Sequence, residues 1–299
     1  MTFALPFGID HVHCYFLRAS TGGWILVDTG LGSRDPEAHW RPVLDLLDAP
    51  VEQIVVTHMH PDHVGGARDV AELTGAPVLQ GREDYDQCVR AWGQRNPERF
   101  VAYWTEQGMP KEYVESIAQE SERLVAAVHW MPDPVLLDPG DEIDGWRVEV
   151  LRGHADGHIV LLRDDVMIAG DVILDTITPA IGLYPNSRPD PLGDYLVTLD
   201  RLEELAPRVA YAGHRDPVAQ PAARAREIRA HHAERLDHAV AALDGSPLSA
   251  YEVSLALFGG ELSTTLRRFA TAEALAHLER LVREGRAERA GPGYVRAGN

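Results

Sequence analysis

The run Thr57-His58-Met59-His60-Pro61-Asp62-His63 constrains the fold of this chain more than any other feature. It follows the apolar stretch Ile54-Val55-Val56, so a strand ending in a loop delivers four metal-competent side chains to one point. Imidazole suits zinc, iron and related ions, and a carboxylate adds a hard oxygen ligand. Three further candidates occupy matching contexts. His154, in Gly153-His154-Ala155-Asp156-Gly157-His158, comes after the strand-like Trp146-Arg147-Val148-Glu149-Val150-Leu151. Asp171, in Ala169-Gly170-Asp171, follows Val166-Met167-Ile168, and His214, in Ala212-Gly213-His214, follows Arg208-Val209-Ala210-Tyr211. Each is a strand end, a small residue, then a ligand type. Strand ends of a sheet-based enzyme meet at one edge, where loops carry chemistry.

The ordered set His-x-His-x-Asp-His, Gly-His, Gly-Asp, Gly-His resembles the metallo-β-lactamase superfamily over about residues 8–216. The resemblance implies a four-layer αβ/βα sandwich. It implies that His58, His60 and His154 hold one metal, that Asp62, His63 and His214 hold a second, and that Asp171 bridges them. The implied cofactors are two divalent ions, zinc in the first place, with iron or manganese equally suited to a nitrogen and oxygen ligand set. A hydroxide shared by two such ions is the implied nucleophile, since its pKa falls towards neutrality. The catalytic residues are then Asp171 and Asp62, the latter either a ligand alone or a proton carrier as well. Aspartate at 171, rather than cysteine, groups the chain with glyoxalase II, lactonase and RNA-processing members rather than the true β-lactamases. Neither Cys14 nor Cys88 stands at a ligand position. By the same resemblance Asp28, in Asp28-Thr29-Gly30, supports the metal loop from beneath; a plain turn is the other reading. The pair Asp156 and His158 reads either as a support for a ligand or as a solvated turn.

The chain has 299 residues, enough for one large and one small domain. The expected division is a catalytic domain over 1–217, with a helical insertion over about 80–132, and a tail over 218–299. No apolar stretch reaches membrane-spanning length, no signal peptide is read at the N-terminus, and two distant cysteines make no disulfide framework. A cytoplasmic protein is expected. The net charge of −18 bears on partners, because gripping a phosphate backbone needs clustered Lys and Arg. Nucleic acid and membrane are therefore disfavoured, and a small-molecule or carrier-bound acyl substrate is expected.

The insertion is rich in aromatics: Tyr85, Trp92, Phe100, Tyr103, Trp104, Tyr113 and Trp130. It reads either as a lid or acyl-binding wall, or as a unit packed on itself. The Pro/Gly-dense stretch after Asp171 contains Tyr184, which lactonase-like relatives match with a tyrosine near the reacting oxygen; a structural aromatic is the alternative. Arg215 follows His214 where many relatives carry glycine, and could narrow the pocket or bind a substrate carboxylate. Helices over 221–243, 249–257 and 272–284, then a hairpin at Gly291-Pro292-Gly293, form a winged-helix-like pattern. Its 11 Arg and 10 Asp/Glu from Ala222 onward nearly balance, which suits packing or homodimerisation better than reading nucleic acid. His232 and Arg235 share a helix face. Relatives with such a tail show a similar pairing, which implies either binding of a substrate anion or support of the site from behind the ligands; a buried clamp between domains is the competing reading. The expected function is hydrolysis of an ester, thioester or lactone carbonyl, with a metal-dependent phosphodiesterase or endoribonuclease as the alternative. A regulatory protein with a residual site would have lost ligands, and a flavodiiron oxidoreductase would need a flavin domain that the tail is too short to form.

Overall fold

A computed structural model, which describes residues 1–6 and 8–298, places two five-stranded sheets against one another. A short hairpin precedes them, β1 (Thr2–Ala4) with β2 (His11–His13). The first sheet runs β3 (Tyr15–Arg18), β4 (Trp24–Val27), β5 (Val51–Val56), β6 (Val78–Gly81), β7 (Val135–Leu137). Its β3–β4 pair is antiparallel and the rest are parallel. The second sheet has the order β12 (Val209–Ala212), β11 (Val166–Gly170), β10 (Ile159–Arg163), β9 (Trp146–Val150), β8 (Glu142–Ile143). Only β11–β12 is parallel there.

The strand period of two sorts these residues into layers. Ile25, Val27 and Val55 of the first sheet face Val148, Ile159, Leu161 and Ile168 of the second, and these side chains fill the inter-sheet core. The alternate residues Leu26, Ile54 and Val56 point the other way. They pack under α1 (Pro36–Leu44) and α3 (Ala67–Thr74), which follows the single turn α2 (Pro61–Val64). Val160, Leu162 and Met167 point outward from the second sheet. They meet α7 (Pro191–Leu205) and α8 (Pro221–Ala242) through Leu199, Leu202, Ala225 and Ile228. Each fully buried aliphatic side chain contributes about 1.5–3 kcal/mol, so one slipped register would cost a whole face. The result is the expected αβ/βα sandwich.

The segment between β6 and β7 is helical: α4 (Arg82–Cys88), a π-helical turn at Val89–Gly93, α5 (Pro97–Glu106) and α6 (Lys111–Val125). It does not pack on itself alone. Trp104, Met109, Val114 and Ile117 share a core with Ala272, Tyr184 and Tyr251 from the other end of the chain. After α8 come α9 (Ala250–Phe258), α10 (Thr264–Arg283) and the antiparallel hairpin β13 (Ala287–Ala290) with β14 (Gly293–Arg296). The last helix starts eight residues before the expected 272. Ser263 caps it, accepting from the Leu266 N–H, and Arg267 is fully buried with its guanidinium on Ser254 and the Gly259 carbonyl. No helix among the described residues is long and apolar enough to cross a membrane.

Candidate metal centre

Asp28 governs how the chain leaves β5. It follows β4, is 2% exposed and stands at φ +62°. Its Oδ1 accepts the Thr57 N–H at 2.8 Å. Its Oδ2 accepts the Thr57 hydroxyl and the His63 Nδ1–H, both at 2.8 Å. One buried carboxylate thus ties both ends of the histidine-rich loop. The middle is pinned at Met59, whose N–H donates to Asp84 Oδ1 at 3.0 Å and whose carbonyl accepts from Trp92 Nε1 at 2.9 Å. Burial pushes the Asp84 carboxyl up to about 7.

The partners decide the imidazole tautomers, each ring presenting one nitrogen inward. The Thr57 hydroxyl is committed to Asp28, so His58 Nδ1–H donates to Thr57 Oγ1 at 3.0 Å and Nε2 is left bare, 3.0 Å from His60 Nδ1. His154 Nδ1–H donates to the Ala180 carbonyl at 3.0 Å and His214 Nδ1–H to the His11 carbonyl at 2.5 Å. Such outer hydrogen bonds fix ring orientation and raise ligand basicity. His58, His60 and His154 form one group whose inward atoms lie within 4.8 Å of one another; Asp62, His63 and His214 form another, and His58, His63 and Asp171 a third. Asp171 stands between the first two, with Oδ1 3.5 Å from His63 Nε2 and Oδ2 3.6 Å from His154 Nε2 and 3.1 Å from His214 Nε2. Asp62 Oδ2 lies 3.3 Å from His214 Nε2. The structure therefore brings all seven sequence-expected ligands to one edge of the sandwich.

The donor set fits divalent cations. His63 Nε2, His154 Nε2 and Asp171 Oδ1 are buried without a hydrogen-bond partner, which is costly unless a bound group meets them. Electrostatics divides the cluster. Burial lowers His58 well below the usual histidine range, His60 to about 3, and His154 more mildly, so these rings are neutral at pH 7. Burial would also lower His63 and His214, but Asp171 and its neighbouring carboxylates prevail. They hold His63 well above the usual range and raise His214 to about 10. Burial would raise Asp171, yet His63 and His214 keep it well below the usual carboxylate range. Where carboxylates cluster, protonated histidines stand in for cations.

Five neighbours hold the ligands and their loops in place, and of these the sequence had singled out only His158 as a support. His158 is fully buried, stacked on His58 at 4.5 Å between ring centroids, and its Nε2 accepts the Asp171 N–H at 3.0 Å. Asp84, Trp92 and the β2 histidines act through backbone atoms far away in sequence. The only prior sign was the residue types themselves. Asp156, by contrast, accepts the Arg188 N–H and so ties down the loop before α7.

The four sequence-expected substrate residues are scattered. The Tyr184 ring lies against Gly182 and Ala272, 6.2 Å from the Trp104 ring. Burial raises its phenol to about 12. Arg215 directly follows His214, at φ +64°, with Nη1 3.9 Å from Asp10. His232 does not reach solvent. It is fully buried between Tyr195 and His277, so the clamp reading describes it and a substrate contact does not. Arg235 lies over the Phe258 ring and donates Nη1–H to the Leu257 carbonyl at 2.6 Å, which ties α8 to the end of α9.

The sandwich and its His/Asp edge define a metal-dependent hydrolase. The chain belongs to the metallo-β-lactamase superfamily, whose family model matches residues 7–214. A second model, the metallo-beta-lactamase-like C-terminal domain, matches residues 236–296. A crystal structure of a metallo-beta-lactamase family protein from Thermus thermophilus is similar, with 38% identity, a TM-score of 0.86, and coverage of 99% of this chain and 97% of that one. The Bacillus subtilis protein named "Probable metallo-hydrolase YqjP" is 25% identical over 272 residues, 85% of this chain and 82% of its own length. Hydroxyacylglutathione hydrolase GloC of Haemophilus influenzae is 25% identical over 138 residues, 44% of this chain and 53% of its own length.

Proposed function

We propose that this chain is a dinuclear metal-dependent hydrolase that cleaves the ester, thioester or lactone carbonyl of a small or carrier-bound acyl substrate. One observation carries the reading: two facing ligand groups, their ring nitrogens and carboxylate oxygens turned inward, share the buried Asp171 carboxylate between them. Two bound cations, zinc in the first place, would supply Lewis acidity toward the carbonyl oxygen and lower the pKa of water. His58, His60 and His154 would hold one, and Asp62, His63 and His214 the other.

The protein's own groups do the rest. Asp171 separates the two positions and neutralises part of their charge. Asp62 is only partly buried, so its free oxygen can hold the proton that the leaving group later takes. Tyr184, neutral over the working pH range, offers a phenolic donor from the wall built by α5 and α10. A cavity of about 410 Å³ lies between the Thr176-Ile177-Thr178 stretch and the Arg224, Ile228 and His231 face of α8. Two residues further along the chain the Ala180 carbonyl orients His154, but none of the residues lining the cavity is itself a ligand. A somewhat larger depression over α1 shares no residue with the ligand set.

The carbonyl preference rests on charge and on kinship. A chain at −18 repels a long polyanion, and hydroxyacylglutathione hydrolase GloC is named for hydrolysis of a hydroxyacylglutathione. The test is metal analysis of purified protein coupled to a screen of thioesters, lactones and a bis-phosphodiester. Two ions per chain and carbonyl hydrolysis, both lost in Asp171→Ala, are expected. Metal-dependent RNA cleavage with every carbonyl substrate untouched would overturn the reading.

A further inference from the structure

The residue after His214 stands in a conformation that its side chain disfavours. Arg215 has φ +64°, the left-handed region that glycine enters freely and L side chains rarely adopt. Such a residue persists only where its surroundings over-determine it. Here they do. The Arg215 N–H donates to His11 Nε2 at 3.2 Å, and the Arg215 carbonyl accepts from His13 Nε2 at 3.0 Å. Two imidazoles grip the same residue from both sides.

The outer nitrogens of those rings are also spoken for. His11 Nδ1 lies 2.6 Å from Asp10 Oδ1, so its proton sits there and Nε2 is left to accept. His13 Nδ1 lies 2.9 Å from Thr2 Oγ1, which donates to it, so the His13 proton sits on Nε2. The two histidines are thus held in opposite tautomers, one accepting and one donating. The same strand face continues inward: the His11 carbonyl accepts His214 Nδ1–H, the His13 N–H donates to the Gly213 carbonyl at 2.7 Å, and Tyr15 Oη–H donates to the Ala212 carbonyl at 2.6 Å. Residues 11, 13 and 15 follow the period of a strand. Their five bonds to the far part of the chain all fall on residues 212–215. Gly213 admits no adjustment, because a Cβ there would lie 2.4 Å from Asp171 Oδ1 and 2.6 Å from His63 Cε1.

We infer that His11 and His13 are positioning residues for the metal ligand His214. Their paired tautomers hold Arg215 left-handed, and that backbone, with the His11 carbonyl, aims His214 Nε2 at the position it shares with Asp62 and Asp171. The inference rests on the proposed dinuclear site. It adds that the half of the site built from Asp62, His63 and His214 depends on the hairpin β1–β2, while the His58, His60 and His154 half does not.

The experiment measures the affinity of each of two zinc ions by competition with a chromophoric chelator, with circular dichroism of the metal-free proteins as a check on fold. The set is wild type, His11→Ala, His13→Ala, His13→Gln, Arg215→Gly and the double variant His13→Ala/Arg215→Gly. Loss of a partner that orients a ligand typically weakens metal binding about 10–100-fold, so each alanine variant should weaken one ion by about tenfold or more and leave the other unchanged. His13→Gln keeps an N–H donor for the Arg215 carbonyl and should stay within about threefold of wild type. Arg215→Gly removes the conformational conflict and should restore most of the affinity lost in His13→Ala. Equal affinities in wild type and both alanine variants would overturn the inference, as would failure of glycine to rescue. A wild type that binds fewer than two ions would instead overturn the dinuclear reading beneath it.

Discussion

Replacing Asp28 by asparagine should cost the centre a metal ligand without moving the backbone. Asparagine is nearly isosteric and tolerates the φ of +62° found there. It can still accept the Thr57 N–H through its oxygen. Its amide then faces the Thr57 hydroxyl and His63 Nδ1 with two N–H donors, where wild type has an acceptor 2.8 Å from each. Two donors cannot face one another, so His63 must move its proton from Nδ1 to Nε2. That nitrogen is the one aimed at Asp171, 3.5 Å away. A protonated Nε2 has no lone pair for a cation. Exchanging a hydrogen bond to a charged group for a mismatched neutral one costs about 1.5–3 kcal/mol. The same range appears as an approximately 10–100-fold loss of affinity when an orienting partner is removed. Competition against a chromophoric chelator should therefore show one ion weakened by that factor and the other retained. Circular dichroism of the metal-free protein should match wild type. Binding of two ions at wild-type affinity by Asp28→Asn would refute the tautomer argument.

Three further outcomes follow from the same geometry. Gly213→Ala places a methyl 2.4 Å from Asp171 Oδ1, an overpacking that typically costs about 1–3 kcal/mol, and metal content should fall towards one ion per chain while the sheets stay folded. Burial lowers His232 to about 3 and His277 to about 4, against about 6.5 in the unfolded chain, so below pH 6.5 the unfolded state binds more protons than the native one. The stability these neutral rings contribute is complete above about pH 6.5 and is lost as pH falls to about 4, roughly 3 kcal/mol for His277 alone; urea unfolding of metal-free protein at pH 7 and pH 5 should show a smaller loss in His277→Leu than in wild type. Trp104→Ala removes a fully buried side chain and should cost about 3–5 kcal/mol, read as a drop in thermal midpoint, with an effect under about 1 kcal/mol arguing against a core shared by insertion and tail.

The sandwich and its ligands were legible because both are local signals. Alternation within Ile54-Val55-Val56 gives a strand buried on both faces, and the first ligand after each strand that carries one follows its end by one to four residues. What holds the ligands was not legible, because it joins positions far apart in sequence through backbone atoms. Asp84 meets Met59 and His158 meets Asp171 by an amide that any residue would carry. His11 and His13 pointed to nothing alone, since they act on Arg215 some two hundred residues later. The run over 12–18, unbroken by any turn residue in the sequence, is interrupted at Cys14 between β2 and β3, one half joining β1 and the other the first sheet. The early start of α10 was hidden for another reason. Thr264-Thr265-Leu266-Arg267-Arg268 reads as polar and exposed, yet Arg267 is fully buried, because Ser254 and a helix-terminal carbonyl satisfy its guanidinium.

The insertion and the tail, read separately in the sequence, prove to be two sides of one wall. The Tyr103 hydroxyl of α5 donates to the Leu183 carbonyl at 2.7 Å, and the Leu183 N–H donates to the Ala272 carbonyl of α10 at 3.0 Å. Leu183 is therefore held from both directions. Three residues earlier on the same loop, the Ala180 carbonyl accepts His154 Nδ1–H. A ligand of the metal centre is thus oriented by a loop whose position is set where insertion meets tail. Trp104, packed against Phe100, Tyr103 and Tyr184, fills the junction. Behind the same ligand, Gly153 lies against Tyr195, whose other side meets His232 of α8. Helices that contribute no ligand therefore brace His154 from front and back. Substitutions in the tail should act on the centre through that ring's aim rather than through contact with substrate.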